Sequence, residues 1–353
     1  MSEDVVPAGR RSADGSDDAL LTVTDLSVGF ATDDGVVRAV RQVSFDVRAR
    51  EVLGVVGESG CGKSVTGAAL MGLLPRTATV TGSIRFRGHE LVGLPEKDFR
   101  ALRGNDIAMI FQDPMSSLNP VYTVGWQLAE AYRAHHGVGW KKAAAKAVEA
   151  LELVGIGQPR RRADQYPHEY SGGMRQRAMI AMAIINDPDL IIADEPTTAL
   201  DVTVQAQILE TLLRIRDETG AAIMMITHDL GVVAGVAGRV QVMYGGTVVE
   251  SGPVEDVFAE PRMPYTIGLL GSIPNPELLG RPLTPINGAP PSLLQLPPGC
   301  AFGPRCPLAE PECRAAEPEL LAAPLAGHTA RCRRWLDVAG LEQPRQIFLG
   351  GRR

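Results

Sequence analysis

An eight-residue loop in the first third of the chain has the composition of a phosphate-binding site. It reads Gly57-Glu58-Ser59-Gly60-Cys61-Gly62-Lys63-Ser64. The glycines let the backbone curl so that its N–H groups point at phosphate oxygens, and a helix predicted from Lys63 to Leu74 adds partial positive charge. Lys63 is placed to reach the β- and γ-phosphates and Ser64 to bind Mg²⁺. The loop predicts a nucleoside triphosphate as ligand, and by itself it leaves kinases and GTPases open.

Two adjacent acids follow a buried strand that is predicted at Leu190–Ala193. Asp194, at the tip of this strand, is expected to hold Mg²⁺ directly or through water. Glu195 is then placed to act as the general base that polarises the attacking water. Together with the phosphate loop, the two acids indicate hydrolysis of the nucleotide.

A second helix start also has the composition of an anion site. Ser171, Gly172 and Gly173 open a helix whose regular part is predicted from Met174 to Ile185. Serine is a good helix cap, and the N–H groups of the first turn attract anions. The simplest explanation for two such helix starts in one chain is that the second serves a nucleotide held mainly by another chain.

Two polar residues follow predicted strands of the same sheet. Gln112 comes after Ile107–Phe111, and His228 comes after Ala221–Thr227. Ligands of open α/β folds bind at the carboxyl edge of the strands, which is where both side chains are expected. Taken alone, each is better explained as a surface polar residue.

These motifs together resemble the ATP-binding subunits of ABC transporters, and they occur in that family's order between residues 20 and 260. Gly57–Ser64, with the adjacent Val65, resembles the Walker A loop that binds ATP. Asp194 and Glu195 resemble the Walker B acid and the catalytic base. Gln112 resembles the Q-loop glutamine, to which the resemblance gives a catalytic role and a place among the Mg²⁺ ligands.

The remaining motifs extend the resemblance. Ser171–Gly173 resembles the family signature, Asp201 the D-loop acid and His228 the catalytic switch histidine. Phe30 falls where the family places an aromatic side chain that stacks on adenine. The segments Phe111–Pro120 and Tyr166–Arg177 are similar to those of oligopeptide and dipeptide importer ATPases, including Met174, where many ABC ATPases have glutamine.

The resemblance implies partners as well as chemistry. We expect a head-to-tail pairing with a second ATPase, two transmembrane permease subunits and an extracytoplasmic solute-binding protein. The second ATPase is expected to be a related chain, as is usual in this subfamily, and a second copy of this chain is the alternative. The chain is then peripheral on the cytoplasmic face of the cell membrane. Di- and oligopeptides are the expected cargo, and nickel or another small solute is the alternative, since some relatives transport these.

The elements that position these residues alternate between strands and helices, which predicts a mainly parallel sheet with crossover helices. The predicted fold is α/β, with a P-loop core, an antiparallel β subdomain and a helical signature subdomain at about 113–182. Residues 1–19 are polar and predicted to be disordered. Residues 20–260 are predicted to form the nucleotide-binding domain, and the proline-rich residues 261–353 a C-terminal appendage.

Four cysteines lie within this C-terminal segment, spaced C-x5-C-x6-C-x18-C: Cys300, Cys306, Cys313 and Cys332. ATP chemistry indicates the cytosol, where structural disulfides are rare, so a metal centre is the better interpretation. Short spacings typical of structural zinc do not occur, whereas four thiolates suit an iron–sulfur cluster. Several similar importer ATPases carry a 4Fe–4S cluster in such a segment. A 4Fe–4S cluster is therefore expected, with zinc or no metal as alternatives.

Charge and hydropathy limit the other possibilities. The formal net charge is −6 at pH 7, which argues against coating nucleic acid. The most apolar runs are far shorter than the roughly 20 residues that cross a bilayer. A soluble ABC ATPase acting on DNA or ribosomes is the main competing class. It is disfavoured because only 58 residues separate Gln112 from Ser171, with no sustained heptads. A solitary P-loop kinase leaves the signature segment and His228 without a role.

Overall fold

The computed structural model describes residues 19–198, 200–272, 285–322, 327–341 and 344–348. The tail predicted to be disordered, residues 1–19, lies outside these ranges except for Ala19. In the described ranges, the strands are β1 (Leu21–Thr32), β2 (Gly35–Val47), β3 (Val52–Val56), β4 (Ala78–Phe86), β5 (His89–Glu90), β6 (Ile107–Ile110), β7 (Leu190–Asp194), β8 (Ala222–Thr227), β9 (Arg239–Tyr244), β10 (Thr247–Pro253), β11 (Leu321–Ala322) and β12 (Thr329–Ala330).

The helices of the same ranges are α1 (Lys63–Leu70), α2 (Glu96–Leu102), α3 (Pro114–Ser117), α4 (Val124–His135), α5 (Trp140–Leu153), α6 (Pro159–Ala163), α7 (Gly172–Ile184), α8 (Val202–Thr219), α9 (Leu230–Val236), α10 (Val254–Ala259), α11 (Pro264–Gly271), α12 (Pro311–Ala315) and α13 (Trp335–Ala339). Short 3-10 turns occur at Pro167–Glu169, Gly303–Arg305 and Pro344–Phe348. None of these helices is both long and apolar enough to cross a bilayer.

The chain divides into two compact units. Of the described residues, the first contains 19–21, Asp46–Glu51 and Arg85–Met225. The second contains, within the same described ranges, Thr22–Phe45, Val52–Ile84 and the residues from Ile226 onward.

The first unit is built around buried parallel strands. β6 and β7 pair in parallel, with Ile110 opposite Ala193, and every residue of β7 is buried. An apolar strand buried on both faces is typical of a parallel sheet covered by helices. Among those helices, α4, α5 and α7 each bury an apolar face that includes Leu128, Leu151 and Ile180 respectively.

The second unit joins parallel and antiparallel strands. β3 runs parallel to β9, and β9 turns back into β10 across Gly245 and Gly246, both of which have positive φ. Such a tight turn suits glycine, which readily adopts the left-handed conformation. A separate sheet contains β2, β1 and β4 in that order. The α/β class is confirmed.

The C-terminal segment completes the core of the second unit. β12 pairs with β10 in antiparallel register, so the segment adds a strand to the sheet. Tyr265, Ala301 and Phe302 lie in one buried cluster with Val242 and Tyr244 of β9. The proline-rich segment therefore packs onto the strands before it, while a domain boundary at residue 260 stays a prediction.

One predicted element was too long. The helix expected at Lys63–Leu74 ends at Leu70, and Gly72 adopts a left-handed φ of 58°. Glycine is the residue that most easily ends a helix in this conformation. The helix predicted at Met174–Ile185 matches more closely, since α7 lies within two residues of these limits at each end.

Candidate active site

The phosphate loop lies between β3 and α1 in the second unit, and its glycines are required by the backbone. Gly57 and Gly62 have φ of 154° and 105°. A Cβ atom at Gly57 would lie 2.3 Å from the Met243 carbonyl oxygen, and one at Gly62 would lie 2.3 Å from that of Ala39. Any larger residue at either position would therefore displace backbone.

Lys63, the first residue of α1, is buried and turned back along the loop. Its Nζ donates hydrogen bonds to the carbonyl oxygens of Gly57 at 2.7 Å and Glu58 at 3.0 Å. The loop thus holds the charge of the Lys63 ammonium group beside its own backbone, an arrangement that suits a bound phosphate. Ser59, Gly60 and Ser64 are exposed, and Val65 is half-buried.

Cys61 of the same loop is buried. Burial raises the pKa of its thiol, against the smaller opposing effect of the Lys63 charge. A thiol held in its neutral form is a poor nucleophile. We therefore interpret Cys61 as a small residue that packs within the loop.

The first unit brings Gln112 and Glu195 together. Gln112 Nε2 donates to Glu195 Oε2 at 3.0 Å. The contact follows from strand register, because Ile110 pairs with Ala193 and each of the two polar residues lies two positions further along its parallel strand. A carboxylate held by an amide at the carboxyl edge of the sheet is suitably placed to orient a water molecule.

Glu195 has a second partner and an unusual backbone conformation. Thr198 Oγ1 donates to the same oxygen, Oε2, at 2.8 Å. The φ of Glu195 is 48°, which is uncommon for a residue other than glycine and marks backbone held in place by its surroundings. Asp194 is the last residue of β7 and is buried. Sequence reasoning missed Thr198, although its three-residue spacing from Glu195 is visible.

The signature segment forms the start of α7. Ser171 caps this helix, with its hydroxyl accepting from the Met174 N–H at 3.4 Å. Ser171 and Gly172 are exposed, and a Cβ on Gly172 would meet nothing within 4 Å. The structure thus presents the helix start, with its N–H groups, at the surface of the first unit.

Gln176 on α7 connects the signature helix to the acidic pair, a link that sequence reasoning missed. Its side chain is buried, and its Nε2 donates to the Pro196 carbonyl oxygen at 2.5 Å. Pro196 directly follows Glu195. The helix that opens with Ser171 is therefore hydrogen-bonded to the residue next to the predicted base.

Three further predicted site residues are Asp201, His228 and Phe30. Asp201 caps α8, accepting from the N–H groups of Thr203 and Val204 at 3.0 Å each. His228 follows β8 in the second unit and is exposed, and Phe30 is half-buried near the end of β1. Their roles toward ATP stay predictions.

The four C-terminal cysteines share one small cavity. Cys300, Cys306, Cys313 and Cys332 all line it, together with Phe302 and other apolar groups. Burial raises the pKa of Cys306 to about 11 and that of Cys332 to about 12, with smaller contributions from neighbouring thiols. Thiolates there would need a cation to stabilise them.

Lining the same cavity does not by itself make the four cysteines a metal site. In the described ranges, no group of three or more His, Cys, Asp or Glu side chains is arranged to hold a metal ion. The donor chemistry fits a four-thiolate centre, while the positions of the thiols do not form one.

Comparison with known proteins gives two family matches. The family described as ABC transporter matches residues 40–198. The family described as Oligopeptide/dipeptide transporter, C-terminal region, matches residues 249–313. Among solved structures, cbiO1 from Clostridium perfringens, part of the ABC transporter complex cbiONQ, is 26% identical with a TM-score of 0.60, covering 71% of this chain and 95% of that one. The dimeric ABC transporter cassette MJ0796 has a TM-score of 0.60 at 24% identity, covering 66% and 98%, and shows the fold alone.

Curated relatives are much closer in sequence. The dipeptide transport ATP-binding protein DppD of Bacillus subtilis is 55% identical, covering 82% of this chain and 87% of the relative. The oligopeptide transport ATP-binding protein OppD of Escherichia coli is 52% identical, covering 86% and 89%. OppD of Mycobacterium tuberculosis is 57% identical over 91% of this chain, which spans only 53% of that relative. The chain belongs to the ABC transporter ATP-binding subunits and, within them, to the oligopeptide and dipeptide transport ATP-binding proteins.

Proposed function

We propose that the chain binds ATP with Mg²⁺ and hydrolyses it to drive an ABC importer of di- or oligopeptides. The contact between Gln112 and Glu195 supports the proposal, because it orients the carboxylate that we propose activates the attacking water. Lys63 and the N–H groups of the phosphate loop bind the phosphates. His228 is the remaining polar group proposed to hold the γ-phosphate and the attacking water.

The donor set also fits Mg²⁺, which prefers oxygen ligands and few protein contacts. Ser64 offers an exposed hydroxyl, Asp194 a carboxylate at the strand tip and Gln112 an amide oxygen. When bound, the ion neutralises charge on the phosphate oxygens.

The exposed start of α7 supports a head-to-tail pair of ATPase subunits. Ser171 and Gly172 are open at the surface, and the first-turn N–H groups suit an anion. In the proposed pair, this helix start contacts ATP held by the partner's phosphate loop. ATP binding closes the pair, and hydrolysis reopens it because ADP and phosphate repel one another. We propose a related ATPase as the partner.

An exposed aromatic surface supports attachment to permease subunits. Tyr122 stacks on Trp126 with ring centroids 4.3 Å apart, and Trp126 stacks on Trp140 at 5.6 Å. Arg133 lies 4.2 Å over the Trp140 ring. Aromatic side chains with arginine are typical of protein interfaces, and the stack follows the Q-loop segment. Two permeases and an extracytoplasmic binding protein complete the proposed importer, with this chain on the cytoplasmic face.

The experiment is to purify the full chain with its companions from membranes and measure ATP hydrolysis with and without peptide-loaded binding protein. We expect permeases, a second ATPase and hydrolysis that rises with peptide. Association with ribosomes or DNA would contradict the transport function. A binding protein that carries nickel would contradict the peptide assignment.

We further propose that the four cysteines hold a 4Fe–4S cluster that fixes the C-terminal segment. The support is the single cavity that all four side chains line, together with the preference of such clusters for four thiolates. Iron and sulfide analysis of anaerobically purified protein is expected to give about four of each per chain. Colourless protein without iron would contradict the cluster, and zinc in its place would support the alternative centre.

A further inference from the structure

Glu58, the second residue of the phosphate loop, is held by three groups at once. Its carboxylate pairs with Arg305 through two hydrogen bonds of 2.5 and 2.9 Å. Its backbone N–H donates to the Tyr265 hydroxyl at 2.8 Å. Its carbonyl oxygen accepts from Lys63 Nζ at 3.0 Å. Two of the three groups belong to the C-terminal segment, so that segment contacts the loop directly.

Arg305 is itself fixed by the segment that carries it. It lies in the 3-10 turn Gly303–Arg305, directly before Cys306, and its side chain is only 6% exposed. Its Nε donates to the Asn287 carbonyl oxygen at 3.0 Å, and its Nη1 to the Tyr244 hydroxyl at 3.2 Å. A guanidinium held at several points presents a preorganised fork to a carboxylate.

The same segment forms one wall of a cavity beside the loop. This cavity has a volume of about 270 Å³, and its lining includes Glu58 and Ser59 of the loop with Pro290, Pro291 and Leu293 of the segment. Tyr244, Tyr265 and Phe302 pack their rings together with centroids 4.5 to 5.3 Å apart. Packed aromatic groups resist small displacements. A displacement of the turn at Arg305 is therefore expected to be transmitted through them to the loop.

We propose that Arg305 is a positioning residue for ATP binding, acting through Glu58 to hold the phosphate loop in its binding conformation. The Arg305–Glu58 pair then makes ATP affinity depend on the order of the cysteine-containing segment. This inference rests on the proposed assignment of the loop to ATP. Loss of either partner leaves a poorly solvated charge beside the loop, which favours a different backbone conformation.

The test is equilibrium binding of a non-hydrolysable ATP analogue with Mg²⁺ to the full chain. Arg305→Ala is expected to weaken binding about tenfold, and Arg305→Lys to recover part of the loss. Glu317→Ala is the matched control, since the Glu317 carboxylate pairs through two hydrogen bonds of 2.5 and 3.1 Å with Arg41, a residue outside the loop. Its affinity should equal that of the wild type.

A double-mutant cycle separates positioning through Glu58 from general damage to the segment. In a Glu58→Ala background, Arg305→Ala should weaken binding by less than about twofold, because its route to the loop is already lost. A further tenfold loss there, or wild-type affinity in Arg305→Ala alone, would overturn the inference while leaving the ATP site intact. Absence of binding by the wild-type chain would instead contradict the proposed function.

Discussion

Gln112 Nε2 lies 3.0 Å from Glu195 Oε2, and the two residues occupy equivalent positions beyond paired residues of neighbouring parallel strands. The contact between their side chains is a consequence of the register between the two strands, and no loop movement is needed to form it. The amide and the Thr198 hydroxyl both orient the same carboxylate oxygen. The proposed base is therefore set in position before any water arrives.

Removing either donor to Glu195 is expected to slow hydrolysis. Gln112→Ala and Thr198→Val should each lower kcat by about tenfold, because a misoriented base accepts the proton of the attacking water less efficiently. Thr198→Ser keeps the hydroxyl and should stay close to the wild type. Steady-state ATPase kinetics of the assembled importer measure these effects. Unchanged kcat in both donor variants would show that the contacts do not orient the base.

Ser171→Ala separates a capping role from a role toward a neighbouring nucleotide. As a cap alone, Ser171 contributes about 1 kcal/mol to stability. Thr123→Ala is a matched control, since Thr123 caps α4 with the same bond length of 3.4 Å to the N–H three residues on. Both variants should lose similar stability in thermal unfolding, while only Ser171→Ala should lose ATP-dependent pairing. Equal pairing in the two variants would contradict the head-to-tail arrangement.

Gln176→Leu tests the link between α7 and the segment after Glu195. The substitution leaves the Pro196 carbonyl oxygen without its buried donor, and we expect a loss of about 1–3 kcal/mol in the free energy of unfolding. Gln207→Leu removes an exposed bond to Arg177 and should cost less than about 0.5 kcal/mol. Urea unfolding of both variants gives the comparison. Similar losses would mean that the buried bond contributes little.

Gly62→Ala tests whether the phosphate loop tolerates a side chain. Gly62 and Gly88 both have left-handed φ, which costs alanine about 1–2 kcal/mol. Only at Gly62 does the added Cβ meet backbone, 2.3 Å from the Ala39 carbonyl oxygen, whereas at Gly88 nothing lies within 4 Å. ATP affinity should fall by at least about tenfold in Gly62→Ala and stay unchanged in Gly88→Ala. Normal affinity in Gly62→Ala would contradict the role of the loop.

Much of the fold follows from local patterns in the sequence. The apolar runs of β6 and β7 end at polar residues, and Gly245 and Gly246 mark the turn between β9 and β10. Local signals also mislead, as they do beyond Leu70, where the apolar pattern continues but Gly72 ends the helix.

The contacts that connect distant segments are not visible in the sequence. Arg305 lies 247 positions from Glu58, and Gln176 lies 20 positions from Pro196. No periodicity or spacing relates such pairs, because they depend on how packed elements align in three dimensions. The Gln112–Glu195 contact is predictable only in part. The sequence predicts the two strands that precede these residues, but it does not predict the register between them.

The most direct test of the account compares ATP binding and ATP turnover in Glu195→Gln. The amide keeps the size of the side chain but cannot accept a proton from water, so kcat should fall by about 10²–10⁴-fold while the affinity for ATP stays near that of the wild type. Hydrolysis at the wild-type rate would show that Glu195 is not the base.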